Sequence, residues 1–285
     1  MKTESMSARW SHQLYNVLHY AVLTAVSIFM LIPFLWMLST SLKEPAKVFV
    51  FPPELIPSPV RFENYLEVLR TTPFHLFYFN SFYIAVLVTV GTVLFSSLAG
   101  YSFGKIPFKG RDIVFLLLLS TMMIPNEVTA IPMFLFMREL GLINTHVPLI
   151  ILPIFAAGGV FGVFVMRQFF LGVPKELEEA AMIDGCSRFR IYWNIMLPLA
   201  KPAIATLTIF TFLTSWNDFF DPLIFLSARK LMTLPLALSL FTDEAGTAWH
   251  LLMSASVMAT LPLLLVFFFA QKQFIEGVSM TGLKE

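Results

Sequence analysis

A chain of 285 residues that is 57% hydrophobic and 13% charged, with a mean hydropathy of +0.77, lies outside the range of soluble globular domains and reads as a membrane protein. Its net charge of +1 supplies no bulk field for nucleic acid or an acidic polymer. The single cysteine, Cys186, excludes an internal disulfide.

The opening MKTESMSARWSHQLYNVLHY has no clear small-residue cleavage site, and the apolar run after it is too long for a signal peptide. Residues 1–16 are therefore expected to be a short cytoplasmic tail ahead of a retained helix. Six stretches, residues 17–38, 80–103, 113–137, 147–164, 202–225 and 249–270, are apolar and long enough to cross about 30 Å of hydrocarbon. They predict an all-α fold: a polytopic protein with six transmembrane helices within one lipid-embedded domain, residues 17–270, and a cytoplasmic C-terminal tail over 271–285. Lys105, Lys109 and Arg111 crowd the short loop after the second stretch, and the excess of lysine and arginine on that side puts both termini in the cytoplasm.

The loop over residues 43–75 would then face outward. Pro45, Pro52, Pro53, Pro57, Pro59 and Pro73 make it largely extended, with one amphipathic helix expected around residues 62–69. Its four basic and four acidic residues balance, which suits an ordered lid against a partner. Small residues gather twice, as Ser96, Ser97, Gly100 and Gly104 in the second stretch and as Gly158, Gly159 and Gly162 in the fourth, where close helix packing would require them. The run GYSFGKI, residues 100–106, has glycines like those of a phosphate loop but spaced one residue short, and Ile106 stands where a Ser or Thr would reach magnesium. This chain is therefore not expected to hydrolyse ATP, and no catalytic residue is assigned.

Polar groups interrupt two of the apolar stretches. Asn126 and Glu127 lie in the third; Asn217, Asp218 and Asp221 follow Trp216 in the fifth. An ionised group facing lipid costs about 2.5 to 3.5 kcal/mol on insertion scales, so these groups must face the bundle, water or a partner. Three readings stay open. The residues could line a substrate path, with Trp216 offering its face to a pyranose ring and the polar groups bonding to hydroxyls, or they could form an outer gate. Alternatively, Asp221 beside Pro222 and Glu127 near Pro125 could satisfy amides freed where helices break. His12, His19, His75, His146 and His250 are scattered without metal-ligand spacing, which argues against a metal site and a membrane enzyme, and the lack of paired broken repeats argues against a secondary carrier.

PKELEEAAMIDGCSRFRIYWNIMLP, residues 174–198, is the most polar run of the second half. Its first helix is expected to open at Pro174, gather Glu176, Glu178 and Glu179 in its first turns, and stop at Gly185. A second helix over residues 187–197 would be capped by Ser187 and ended by Pro198. Ala180 and Ala181 leave the first helix a slim surface that another protein could approach.

Glu179, Ala180 and Ala181, then Asp184 and Gly185, then nine residues to Ile195, Leu197 and Pro198, carry a complete E-A-A, G, I-x-L-P signature. In this the chain resembles the membrane-spanning subunits of bacterial ABC importers. NSFYIAVLVTVGTVLFSSLAGYSFGKIPFKGRD, MMIPNEVTAIPMF with LGLINT, SWNDFFDPLIFL and QKQFIEGVSMTGLKE are similar to the sugar-importing permeases of the maltose-transporter type, above all to the smaller of its two permease subunits. The resemblance implies a non-catalytic permease in the bacterial inner membrane that translocates a sugar, a di- or oligosaccharide, with a polyol or glycerol phosphate as the alternative cargo. Its implied partners are a second homologous permease, an ABC ATPase dimer that binds ATP and magnesium, and an extracytoplasmic sugar-binding protein; this chain binds no cofactor. Residues 174–198 become the coupling hairpin, with Glu176, Glu178 and Glu179 meeting basic partners on the ATPase. The tail after Lys272, with Gly277, Ser279 and Gly282, becomes an extended insertion toward the ATPase interface. Direct sugar contacts in the maltose system are attributed largely to the companion permease, which leaves this chain the opposite wall.

Overall fold

The computed structural model describes residues 6–243 and 246–282, with side chains for residues 13–242 and 246–268, and divides into two units. The first comprises residues 1–71 and 241–258. Its first helix, α1 (Met6–Ser41), runs without interruption past Pro33, so residues 6–16 of the expected tail are helical and continuous with the first span. From Gln13 to Ser41 it is long enough to cross a membrane, and its apolar side chains are exposed within this chain, as lipid or a partner subunit would require. The expected amphipathic helix is α2 (Glu63–Thr71), which turns Asn64 and Val68 inward. Asn64 Nδ2 donates to the Ser41 and Lys43 carbonyls, both at 2.9 Å, and Tyr65 shares a 2.7 Å hydrogen bond with Ser41 Oγ. These bonds, with Ser39 Oγ to Leu55 O at 2.6 Å, pin the proline-rich loop to the end of α1.

The second unit comprises residues 72–240 and 259–285. Its central helix is α3 (Phe74–Lys105), 32 residues long. There follow α4 (Arg111–Ser120), α5 (Asn126–Glu139), α6 (Val147–Phe155) and α7 (Ala157–Gly172). The hairpin region holds α8 (Glu176–Ile183), α9 (Arg188–Ile191), a five-residue π segment over Tyr192–Met196 and α10 (Leu197–Leu199). Then come α11 (Lys201–Trp216), α12 (Phe220–Phe225) and α13 (Leu234–Leu238). A two-residue pairing of β1 (Thr242–Asp243) with β2 (Gly246–Thr247) precedes α14 (Trp249–Gly282), both strands belonging to the first unit and α14 passing into the second from residue 259.

Among the described residues, four helical segments can cross a membrane, and six spans result if each of two bent pairs counts as one. The bends correct two of the expected spans. The third is broken: α4 ends at Ser120, Ile124 is extended, and α5 leaves at 97° to the preceding piece. Pro125 explains this, because it lacks an N–H and drives the residue before it out of the helical region. The fifth stops at Trp216 rather than running to residue 225, so α11 is only 16 residues, about 24 Å at 1.5 Å per residue, and meets the hairpin's return arm at 76°. The fourth is longer than expected, reaching Gly172 through a break at Ala156. The expected extended C-terminal insertion is also corrected: α14 stays helical to Gly282, with no proline after Pro262, while residues 283–285 lie outside the described residues.

The two small-residue groups meet each other. A β-carbon on Gly100 would stand 2.5 Å from Met166 Cβ and 2.9 Å from the Arg167 amide, and one on Gly162 would stand 2.4 Å from Ser96 Oγ. α3 and α7 thus touch nearly backbone to backbone, the approach that small residues permit where no hydrophobic force joins helices in lipid. Around this contact Tyr101, Met166, Phe170, Ile191, Tyr192, Met196 and Leu207 form a buried core that includes the hairpin's return arm.

Candidate functional site

The hairpin takes its shape from local signals. At the end of α8, Cys186 N–H donates to Ala181 O (2.9 Å) and Gly185 N–H to Met182 O (3.0 Å), with Gly185 at φ +79°, the double bond pattern of a helix ended by a left-handed glycine. Ser187 then caps α9, its Oγ accepting from Arg190 N–H at 3.3 Å. Pro198 does not end the second helix. The helix passes through it to Leu199, and the π segment just before it accommodates the carbonyl that a proline cannot bond.

The three glutamates of α8 do not share one face. Glu176 and Glu179 are exposed with Ala180, Asp184 and Gly185, beside the outward-facing Ile183, Phe189 and Trp193. Glu178 and Ala181 turn inward, which corrects the expectation that all three carboxylates and both alanines form the docking surface. Glu178 Oε1 lies 3.2 Å from Lys105 Nζ, and both side chains are almost fully buried. Lys105 donates its hydrogen bond to Val173 O (2.6 Å), so its hold on Glu178 is chiefly Coulombic. Removing one partner of such a pair would strand a buried charge, at about 3–5 kcal/mol. Ile195 and Leu197 are half-buried against the core, and Pro198 is exposed.

The interrupted spans converge on a cavity of about 540 Å³. Asn126 and Glu127 reach it from the first turn of α5, Asn217, Asp218 and Asp221 from the break between α11 and α12. Thr129, Thr211, Thr214 and Ser215 add hydroxyls, and Phe161, Phe210, Phe219 and Phe220 add ring surface. Among the described residues, the lining contains three carboxylates and no Lys, Arg or His. Asp218 Oδ1 also accepts from Asp221 N–H at 3.3 Å, and Asn217 Nδ2 donates to Leu213 O at 2.8 Å, so both residues finish helix ends while facing the space. Trp216 is absent from the lining. It is 2% exposed, stacked on Phe212, edge-on to Tyr78, with Nε1 donating to Ala259 O at 3.3 Å. The expectation that its face meets a sugar gives way to a packing role: the helix rotation that points Asp218 at the cavity points Trp216 into the core.

The segment after α12 is clamped from two sides, by α3 and by the loop between α5 and α6. Asn144, at φ +60°, accepts from Ser227 and Ala228 N–H at 3.1 and 2.8 Å, while its own N–H donates to Phe225 O at 2.8 Å. Asn80 Nδ2 donates to Lys230 and Met232 carbonyls at 3.0 Å, and Ser81 Oγ accepts from Leu234 N–H at 2.7 Å. His146 bridges Tyr83 OH and Leu231 O.

Residues 93–279, well over half of the chain, match the family described as binding-protein-dependent transport system inner membrane component. The chain belongs to that family. It is 38% identical over 229 residues to the arabinooligosaccharides transport system permease protein AraQ of Halalkalibacterium halodurans, covering 80% of this chain and 81% of that one. It is 34% identical to the sulfoquinovosyl glycerol transport system permease protein SmoH of Agrobacterium fabrum, covering 89% of each. A bacterial ABC transporter involved in the import of the acidic polysaccharide alginate superposes with a TM-score of 0.76 at 25% identity, over 96% of this chain and 100% of that one. The fold likeness extends to a bacterial alginate ABC transporter in complex with an alginate pentasaccharide-bound periplasmic protein, with a TM-score of 0.67 at 16% identity over 92% and 95% of the two chains.

Two groups of residues in this inner-membrane component escaped the sequence reading. The hydroxyls of Thr211, Thr214 and Ser215 recur at three- and four-residue spacing on the face of α11 that leads to Asp218, a pattern that was available to find them. Lys105 carried only the signal of a loop cation, and nothing in its neighbourhood announces Glu178 as its partner.

Proposed function

We propose that this permease forms one wall of a translocation path for a neutral di- or oligosaccharide, in an importer assembled with a second permease, an ABC ATPase dimer and an extracytoplasmic binding protein. The carrying observation is the cavity: carboxylates and amides that accept and donate to hydroxyls, phenyl faces that suit the apolar faces of sugar rings, and no cation. With residues 105–112 and 174–198 on the cytoplasmic side, the exposed face of α8, Glu179 and Ala180 foremost, meets the ATPase, which binds ATP and magnesium. Closure of the ATPase dimer then moves the hairpin as a rigid body and reopens the path outward. The carboxylate-rich lining disfavours glycerol phosphate, the alternative cargo, and an acidic polysaccharide such as the alginate named for one structural relative, because a bound anion would meet three acids without a compensating base.

Uptake kinetics in proteoliposomes holding the whole complex test this reading. Asn217→Ala and Asp218→Asn should raise KM at matched membrane levels, and uptake should require ATP while surviving collapse of the ion gradient. Wild-type kinetics in both variants would leave these residues only a packing role.

A further inference from the structure

Two grips tie the hairpin to α3. At its first arm, Glu178 meets Lys105, the last residue of α3, 3.2 Å apart and shielded from water. Lys105 also holds the Val173 carbonyl, where the chain leaves α7 for the hairpin. At its return arm, Tyr192, 1% exposed, shares a 2.7 Å hydrogen bond with Ser97 Oγ and packs its ring on Tyr101, both on α3. The second grip is mostly apolar packing with one neutral hydrogen bond. The first depends on charge, and it sits at the root of the helix whose opposite face is exposed.

We propose that Glu178 is a positioning residue rather than a docking residue, and that the Lys105–Glu178 pair is the strut that makes α8 and the cytoplasmic end of α3 move as one body. The proposal rests on the hairpin being the ATPase contact. A push on the exposed face of α8 can reach the membrane helices by three routes: back along the chain through residues 173–175, forward through the Gly185 turn to the return arm and its Tyr192 grip, or across the ion pair. The backward route ends in the extended residue Val173, which closes α7 and can pivot. The pair spans that pivot, because Lys105 contacts Val173 on one side and Glu178 on the other. Without it, α8 could rock about the pivot, and only the forward route through the Gly185 turn would still carry the stroke to α3.

The test uses the complete complex of both permeases and the ATPase dimer in nanodiscs, in a Cys186→Ala background because Cys186 is a free thiol. Spin labels at Leu177, exposed on α8 outside the docking residues, and Phe108, exposed just beyond α3, report the distance between the two bodies without nucleotide and after trapping with Mg-ATP and vanadate. The unmodified pair should give the same narrow distance distribution in both states. Glu178→Gln and Lys105→Met should retain the co-purifying ATPase yet broaden the distribution and lower uptake per ATP hydrolysed by about tenfold. The exchange Lys105→Glu with Glu178→Lys should restore both. Unchanged distributions in the single variants, loss of the ATPase from them, or failure of the exchange to rescue would overturn the strut. If the single variants do not accumulate, Lys105→Arg and the charge exchange decide by the same readouts: both must accumulate and couple. Glu179→Lys separates the two ideas. If it leaves nucleotide-driven motion and ATPase attachment intact, the docking reading fails; if it abolishes them while Glu178→Gln couples normally, only the strut fails.

Discussion

Ser96 and Gly162 leave no room between them where α3 crosses α7: Ser96 Oγ donates to Gly159 O at 2.9 Å, and a β-carbon on Gly162 would stand 2.4 Å from the same oxygen. Gly162→Ala must therefore push out a bonded hydroxyl, and Gly100→Ala must push against the Arg167 backbone, which cannot give way. Overpacking of this kind costs about 1–3 kcal/mol, and Gly100→Ala should lie at the upper end. Gly172→Ala, with nothing within 4 Å of the added carbon, should be neutral or slightly stabilising. Thermal unfolding of the purified complex checks the ranking; equal melting of all three variants would contradict the close contact.

Trp216 and Asp218 lie two residues apart and should respond in opposite ways. Trp216→Phe removes the indole N–H that Ala259 O accepts and should cost about 1–2 kcal/mol, and Trp216→Ala about 3–5 kcal/mol, with the KM for sugar unchanged in whatever complex assembles. Asp218→Asn should leave stability near wild type and move KM. A raised KM in Trp216→Phe at full stability would return the indole to the path.

How far these roles could be read from the chain depends on the range of the interaction that decides each. The turn at Gly185, the cap at Ser187 and the signature from Glu179 to Pro198 are local, and spacing along the chain captures them. Glu127, Asp218 and Asp221 stand out because an acid within an apolar run has few places to go. Which way Trp216 faces is not local. Thr211, Thr214 and Ser215 mark one face of α11, but that Trp216 turns away from it into the core is decided by distant partners, Tyr78 on α3 and the Ala259 carbonyl on α14. Glu178 fails for another reason: three glutamates in one turn look alike until the distant Lys105 selects one. The break at Pro125 was legible from the proline itself, whereas the one after Trp216 was hidden because hydropathy sums side chains and takes no account of the backbone.

Asn144 holds its conformation at φ +60° while its side chain stitches residues 227 and 228 in place. Asn144→Asp keeps both the acceptor and the tolerance for that backbone and should behave like wild type. Asn144→Gly keeps the backbone and loses two hydrogen bonds, about 1–2 kcal/mol of local stability, while Asn144→Leu adds a strain of about 1–2 kcal/mol. Arg229 and Lys230 are exposed directly after the two residues that Asn144 holds, so trypsin reads the effect. Cleavage there should quicken in the order Asp, Gly, Leu, and identical rates in all three would show that Asn144 does not hold the segment.

Gly185 offers a test of the proposed coupling role of the hairpin through its backbone conformation rather than through the carboxylates of α8. A β-carbon there meets nothing within 4 Å, so crowding is not at issue; the constraint is φ +79°, which glycine adopts freely, asparagine tolerates, and a β-branched residue resists at about 1–2 kcal/mol or more. Gly185→Val should relax that turn, pull Cys186 N–H from Ala181 O and misalign α8 with the return arm. Binding-protein-stimulated ATP hydrolysis should fall to the basal rate, with the permease still inserted and present at its usual level. Gly185→Asn should keep most of the stimulation. Steric interference at the ATPase surface predicts the reverse for asparagine, since its side chain reaches farther from the backbone than that of valine, so parallel loss in both variants would assign Gly185 to the contact itself, and stimulation intact in both would remove the hairpin from coupling altogether.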